Sequence, residues 1–355
     1  MSGEDSNLQG PSAAEPHVTA SRPRWWIYHG TGRSVIDLAA ALPKPPPWRT
    51  FTGGPVQPAP PSDESEGARR LGAEQVTRGI ADSHVIDMVN AALYLRRPLL
   101  VTGRPGTGKS SIAYQVSREL RLGRVLRWPI TSRSTFKSGL YEYDAIGRAQ
   151  AVSAKLDTEA ADIGNYLRLG PVGTALLPWK LPRVLLIDEL DKSDIDLPSD
   201  LLNAFEEGEF LIPELVRMSK RQPEVVVQTD DPGRAATITA GRVQCHAFPF
   251  VVITSNGERD FPPAFLRRCL RLELPAPTEE QLADMVVAHF GAAVGEDQRV
   301  LIREFLSRSR RGGGLAADQL LNSLFLVSTE ANRDEESWNL LLDAIWQRLS
   351  PVGPG

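Results

Sequence analysis

The chain has 355 residues, 41% of them hydrophobic and 24% charged, and a formal net charge of -4. That is enough for one large or two modest domains with a sizeable core, and the acidic balance argues against a general polyanion binder. Two cysteines, Cys245 and Cys269, exclude a disulfide framework and lack metal-ligand spacing, so both read as packed, reduced thiols. No apolar run nears the ~20 residues of a membrane span, and the polar start is no secretory signal, so the expected setting is cytoplasmic with no membrane partner.

Residues 1–20 are rich in Ser, Gly, Pro and Glu and are expected to be a disordered tail. The stretch 21–50 reads as an aromatic docking arm: Trp25, Trp26, Ile27 and Tyr28 lie between arginines, 35–42 forms a short helix, and a proline run leads to Trp48. Such a cluster wants a surface, whether this protein's own body, a neighbouring subunit or a separate partner, and stacking on single-stranded nucleic acid is the alternative. Residues 51–70 have the Pro/Gly composition of a linker, so the compact domain is expected to begin near Leu71. A helix is predicted over 81–94, with Val85, Met88, Val89, Ala92 and Leu93 on one face.

The apolar run 98–101 predicts a strand, and Ile112, Ala113 and Val116 then recur at helical spacing. Between them Gly103, Arg104, Pro105, Gly106, Thr107, Gly108, Lys109 and Ser110 fit G-x-x-x-x-G-K-[ST], with Ser111 opening the helix. Four fixed positions match by chance on the order of once per hundred chains of this length. Glycines let backbone N–H groups curl around a polyphosphate, the lysine meets the outer phosphates, and the Ser110 hydroxyl ligates Mg²⁺. The chain is therefore expected to bind a nucleoside triphosphate with Mg²⁺.

A second strand is predicted over 124–130, a polar loop over 131–143, a helical segment over 145–167, and a turn rather than core at Gly170, Pro171 and Gly173. Arg118, Arg121, Arg124 and Arg127 read as a solvated helix end and turn. The run 183–192 is continuous apolar sequence ending in Asp188-Glu189, as in a strand buried on both faces of a parallel sheet. Carboxylates at such a strand end sit where ligands of open α/β sheets bind, which places Asp188 to hold Mg²⁺ and Glu189 to polarise the attacking water. Asp191, Asp194 and Asp196 lack the pattern of a calcium loop and read as solvated surface.

A helix is predicted over 197–207 with Gly208 as its stop, then strands over 209–212 and 224–229, with 242–246 pairing the second and 230–234 as a turn. The strand 250–255 ends in Asn256, a polar amide suited to orienting water near a γ-phosphate. A short helix over 261–268 carries Arg267 and Arg268, a fifth strand covers 270–274, and four helices over 279–290, 298–309, 316–330 and 336–349 follow.

The order GRPGTGKS, LLIDELDKSDIDLPSDLLNAFEEGEF, VVITSNGERDFPPAFLRRC resembles the MoxR-type branch of the AAA+ ATPases, from about Leu71 to Leu349. The resemblance implies an α/β P-loop NTPase domain over 71–275, with a five-stranded parallel sheet between helices, and an all-α lid domain over 276–350. It implies ATP and Mg²⁺ at each subunit boundary of a homo-oligomeric ring, usually hexameric. Lys109 and Ser110 correspond to Walker A, Asp188 and Glu189 to Walker B, and Asn256 to sensor 1. Arg268 matches the arginine finger, with Arg267 as the competing choice. Where a sensor 2 arginine is common, this sequence has Gly312-Gly313-Gly314 after Arg310 and Arg311. Either arginine reaches the phosphates or the role is absent.

The resemblance implies a chaperone that remodels or activates protein partners, of a kind commonly encoded beside von Willebrand factor A-domain proteins. The WWIYHGTG stretch is similar to a sub-branch in bacterial conflict (defence) systems with separate effector proteins. The expected function is therefore an ATP-hydrolysing remodeller. The alternatives are a DNA-associated motor or restriction-type ATPase, which the acidic net charge opposes, and a non-hydrolysing ATP-gated assembly switch, which Glu189 opposes because binding alone needs no water-polarising carboxylate.

Overall fold

A computed structural model describes residues 23–32, 37–58, 64–73, 82–154, 162–291, 293–311, 315–329 and 335–346. The tail over 1–20 and the three glycines Gly312 to Gly314 lie outside the described residues. The chain begins with helices α1 (Leu38–Ala41), α2 (Glu64–Leu71) and α3 (Ser83–Leu95). Asp37 caps α1 and Asp82 caps α3 by accepting backbone N–H groups of the first turn. Then come β1 (Leu99–Thr102), α4 (Ser111–Leu120), β2 (Leu126–Pro129), α5 (Phe136–Leu140), β3 (Tyr141–Tyr143), α6 (Ala145–Ser153), β4 (Leu167–Leu169) and α7 (Pro171–Ala175). β5 (Val184–Asp188), α8 (Leu197–Glu207), β6 (Glu209–Leu211), α9 (Pro213–Met218), β7 (Glu224–Gln228), β8 (Ala235–Thr239) and β9 (Arg242–Gln244) follow. β10 (Phe250–Ser255), α10 (Pro263–Arg268) and β11 (Leu270–Glu273) close the α/β part. Helices α11 (Glu279–Phe290), α12 (Glu296–Arg311), α13 (Ala317–Ser328) and α14 (Glu335–Ile345) form the C-terminal part.

Five strands form one parallel sheet in the order β11-β1-β10-β5-β2. Successive side chains of a strand point to opposite faces, and here both faces are covered. In β5, Leu185 and Ile187 enter one core while Val184 and Leu186 enter the other. A third core joins α11 to α14, with Phe305 and Trp346 edge to face at 5.7 Å.

A second sheet of six strands, β3-β4-β7-β8-β9-β6, was not anticipated. Strands β7 and β8 alternate exposed and buried residues, so one face packs on the core and the other meets water. β7 pairs with β8 rather than with the strand expected over 242–246, and β9, in that stretch, pairs chiefly with β6. The sheet is pinned beneath the main one by a buried ion pair. Arg183, just before β5, bonds both Asp231 oxygens at 2.6 and 2.8 Å, and neither side chain is exposed to solvent.

Several expectations fail for identifiable reasons. The turn at Gly170 to Gly173 is α7, with Pro171 in its first turn, and Val172 to Leu177 are fully buried. The polar loop over 131–143 contains α5, closed by a capping box between Thr135 and Ser138. The linker over 51–70 is largely docked. Phe51 stacks on Phe248, Gln57 bridges to Trp179 as an added strand residue, and α2 packs on α4. At Gly53 a Cβ would lie 1.9 Å from the Gln244 carbonyl oxygen, so only glycine allows that approach.

The compact body does not begin at Leu71 either. Ile27, Tyr28 and Leu38 belong to the core around α3 and α4, and Tyr28 is 1% exposed. Buried Asn90 accepts the Ile27 and Tyr28 N–H groups and returns a bond to the Tyr28 carbonyl at 2.7 Å. The buried Glu119 carboxylate accepts the N–H groups of His29, Thr31 and Gly32. These two polar side chains hold the backbone of this stretch inside the fold, so Ile27 and Tyr28 dock on the protein's own body, while Trp48 stays exposed.

Candidate functional site

The glycine-rich loop follows β1 at the C-terminal edge of the parallel sheet. Gly103, Gly106 and Gly108 have φ of 147°, 79° and 83°, and at Gly108 a Cβ would meet no atom within 4 Å. Glycine is required there by backbone conformation and not by crowding. The Lys109 side chain turns back under the loop. Its ammonium donates to the carbonyls of Gly103 and Arg104 at 2.8 and 2.9 Å and to Asn256 Oδ1 at 2.8 Å. Burial pushes the Lys109 ammonium down from its ordinary value, against the pull of Asp191, Glu189 and Asp188.

Asp188 ends β5 directly beside this loop. Ser110 Oγ donates to its Oδ1 at 2.7 Å and Thr254 Oγ1 at 2.9 Å, while Arg127 forks onto its Oδ2 at 2.7 and 3.1 Å. Burial opposes the Asp188 charge, yet the bonds from Ser110, Arg127 and Thr254 outweigh it and hold the carboxyl below the usual range. Glu189 adopts φ 63°, the left-handed region that non-glycine residues seldom enter, and its N–H donates to Thr254 Oγ1 at 2.8 Å. Its carboxylate meets two side chains. One oxygen accepts from Lys192 at 2.8 Å and the other faces Asn256 Nδ2 at 3.4 Å.

The predicted residues Lys109, Ser110, Asp188, Glu189 and Asn256 are thus brought together on three adjacent strands. Two further members were misread from sequence. Asp191 is buried, not solvated: its Oδ2 accepts the N–H groups of Asn256 and Glu258 at 2.9 and 3.1 Å, and its Oδ1 is buried without a partner. Arg127 belongs to the site, Arg124 pairs with Asp230, and Arg118 donates to the Gly67 and Gly72 carbonyls, so none of the three is a free basic surface. Their partners lie 46 to 106 residues away in sequence, beyond any local pattern.

Ser110 and Asp188 set two hard oxygens side by side, the donor type and number a phosphate-bound Mg²⁺ takes from protein. Among the described residues there is no cluster of three or more His, Cys, Asp or Glu side chains that could hold a metal ion. A cavity of about 540 Å³ adjoins the loop, lined by Arg104 to Thr107 on one side and by Arg303, Arg310 and Leu315 of the helical part on the other. Lys109 and Asp188 are not among its walls, so the cavity lies beside the charged cluster rather than over it. The side chain of Arg311 lies outside the described residues.

Arg267 and Arg268 do not join this cluster. β1 and β11 run parallel with Leu99 beside Leu270, so Arg268 precedes the strands whose far ends carry the glycine loop. Four residues of strand, roughly 13 Å, separate the two edges. Arg268 is half-exposed and paired with Glu206 at the end of α8, and Arg267 is exposed. Arg97, just before β1, donates to the carbonyls of both, at 3.1 Å to Arg268, and so closes the C-terminus of α10.

Residues 98–269, just under half of the chain, match the family described as AAA domain (dynein-related subfamily). Among solved structures 404 chains match. One is that of C. elegans PCH-2, at 16% identity over 80% of this chain and 72% of that one, with a TM-score of 0.37. No curated protein matches. Strand order, phosphate loop and C-terminal helices together make this an AAA+ α/β fold with a helical lid.

Proposed function

We propose that this chain is a MoxR-like, ATP-hydrolysing remodeller of protein partners that works as a homo-oligomeric ring. The observation that carries the hydrolytic part is the relay at the sheet edge. Asn256 accepts from Lys109 through its oxygen and faces Glu189 through its nitrogen, tying the phosphate-binding cation to the candidate water-polarising carboxylate. With ATP bound, the Lys109 ammonium leaves the loop carbonyls for the outer phosphates, and the backbone N–H groups of 106 to 111 cradle the rest. Mg²⁺, when bound, neutralises charge on those phosphates. Ser110 and Asp188 would hold it, with Arg127 and Thr254 keeping the Asp188 carboxylate oriented. Glu189 then draws a proton from the attacking water while Asn256 fixes where that water sits. The cavity between loop and lid is of a size to take a base and sugar, and Arg310 on its wall is suited to the sensor 2 role.

The ring reading is supported by the position of Arg268 at the edge opposite its own loop, from which it serves a second copy. The nucleic-acid alternative, which would draw on Arg118, Arg121, Arg124 and Arg127, loses three of the four, since Arg118, Arg124 and Arg127 are engaged within the chain. The resemblance points to von Willebrand factor A-domain or effector proteins, in a bacterial conflict system, as what is remodelled. The deciding experiment is Glu189→Gln. ATP affinity should persist because Lys109, Ser110 and Asp188 are untouched, while turnover is largely abolished. Loss of nucleotide affinity as severe as in Lys109→Ala would refute the role given to Glu189. A pull-down with the same ATP-trapped variant identifies the partner.

A further inference from the structure

The edge that carries Arg268 holds more than one arginine. The turn Pro47–Arg49 is mounted there by Arg49, whose guanidinium donates to the Phe205 carbonyl and lies 5.5 Å from the Phe248 ring centre. Trp48, next in the chain, is 77% exposed on that fixed mount. Arg97, Arg267 and Arg268 share this edge with Arg49, and Glu206 pairs with Arg268. Burial chiefly lowers Arg49 from its ordinary value, Glu206 acts against that, and the positive charges of Arg97 and Arg268 add to the lowering.

The opposite edge is its counterpart in charge and shape. Ile195, 63% exposed, projects between the exposed carboxylates of Asp194 and Asp196. Arg259 binds this turn to the loop after β10 through the Ser193 carbonyl, and that loop adds the exposed Glu258 and Asp260. Both loops lean on Asp191, the residue that also fixes Asn256. The two surfaces lie at opposite ends of the same strands, so no single chain can join them. A large exposed aromatic on an edge that carries four arginines and an exposed aliphatic flanked by two acids are what a specific contact needs, an apolar anchor with charge that sets partner and orientation.

We propose that the Trp48 edge of one copy docks on the Ile195 turn of the next, a head-to-tail contact that places Arg268 beside its neighbour's glycine loop. This rests on the reading that Arg268 acts in trans. It adds that the N-terminal turn at 47–49 is the anchor of that assembly.

The test uses the full chain, Trp48→Ser and Ile195→Ser, each in Mg·ATPγS, by sedimentation velocity, with fluorescent-ADP binding as the check on folding. Both side chains are largely exposed, so each variant should fold and bind ADP as the parent does. Trp48→Ser should weaken self-association about 30-fold, the loss of an interfacial hot spot. At a concentration between the native and variant dissociation constants each variant alone is monomeric. Mixed in equal amounts they form a species of twice the chain mass and nothing larger, because one intact edge remains on each copy. Assembly of either variant like the parent, a mixture that stays monomeric, or a parent that never assembles overturns the contact. A parent that assembles as described yet hydrolyses no ATP leaves the contact standing and sinks the ATPase reading. Hydrolysing rings indifferent to Trp48→Ser do the reverse.

Discussion

The two ends of the parallel sheet are built in opposite ways. At the C-terminal edge each of these side chains is already wired to the next: Asp188 accepts from Ser110, Thr254 and Arg127, and Lys109, Asn256 and Asp191 interlock. At the N-terminal edge Arg268 is half in water and held by a single acid. A solvent-screened ion pair of that kind is weak and exchangeable, whereas a buried network must be dismantled group by group. On the proposed function this difference separates binding from delivery: one edge is preorganised for phosphate, and the other presents a cation that a stronger anion can take from Glu206.

The sharpest way to break this contrast is Arg268→Ala. Nucleotide affinity should be unchanged, since the C-terminal edge is intact, while turnover falls by ~10³ to 10⁵. Mixing that protein with Lys109→Ala should restore part of the activity, because some intact loops then face intact arginines. A fully active Arg268→Ala moves the role to Arg267. Next in size is Tyr28→Ala, which removes a 1%-exposed aromatic from the core behind α3 and α4. Urea unfolding should show a loss of about 3 kcal/mol or more. Deletion of 1–50 should cost more still, since it also strips the partners of Asn90 and Glu119. If that truncated chain keeps the parent's stability, the arm is an appendage after all.

A smaller effect is expected from Asp191→Ala, which frees the Asn256 and Glu258 N–H groups. A misplacement of about 1 Å at Asn256 costs about 10²-fold in turnover, with ATP affinity held. Equal losses in both would mean that Asp191 supports the loop rather than the water-orienting amide. The smallest concerns His289. Burial first, then the Arg118 charge, lower it from its ordinary value of 6.5. The unfolded chain takes up this proton before the folded one does, so its contribution to stability is present above about 6.5 and is lost as pH falls below that. Denaturation midpoints at pH 7.5 and 5.5 should differ less in His289→Gln than in the parent.

What was legible in the sequence is what local chemistry dictates. The glycine loop, the apolar strands ending in Asp188 and Asn256, and the arginines after a short helix are contiguous motifs, because phosphate, metal and strand burial each demand particular residues at fixed spacing. The parallel five-stranded sheet follows from such runs. Other features depend on pairings that no spacing encodes. Arg127 reads as a solvated turn until β2 is laid against β5, and Asp191 as one more surface acid until the Asn256 loop closes over it. Tyr28 looks like a free docking aromatic until Asn90, 62 residues on, takes its backbone bonds. The arginine edge is assembled from residues 49, 97, 206 and 268, which only the packing of α8, α10 and the N-terminal turn brings together. Buried polar groups must find partners wherever the fold supplies them, and that requirement is satisfied across distances a linear reading does not see.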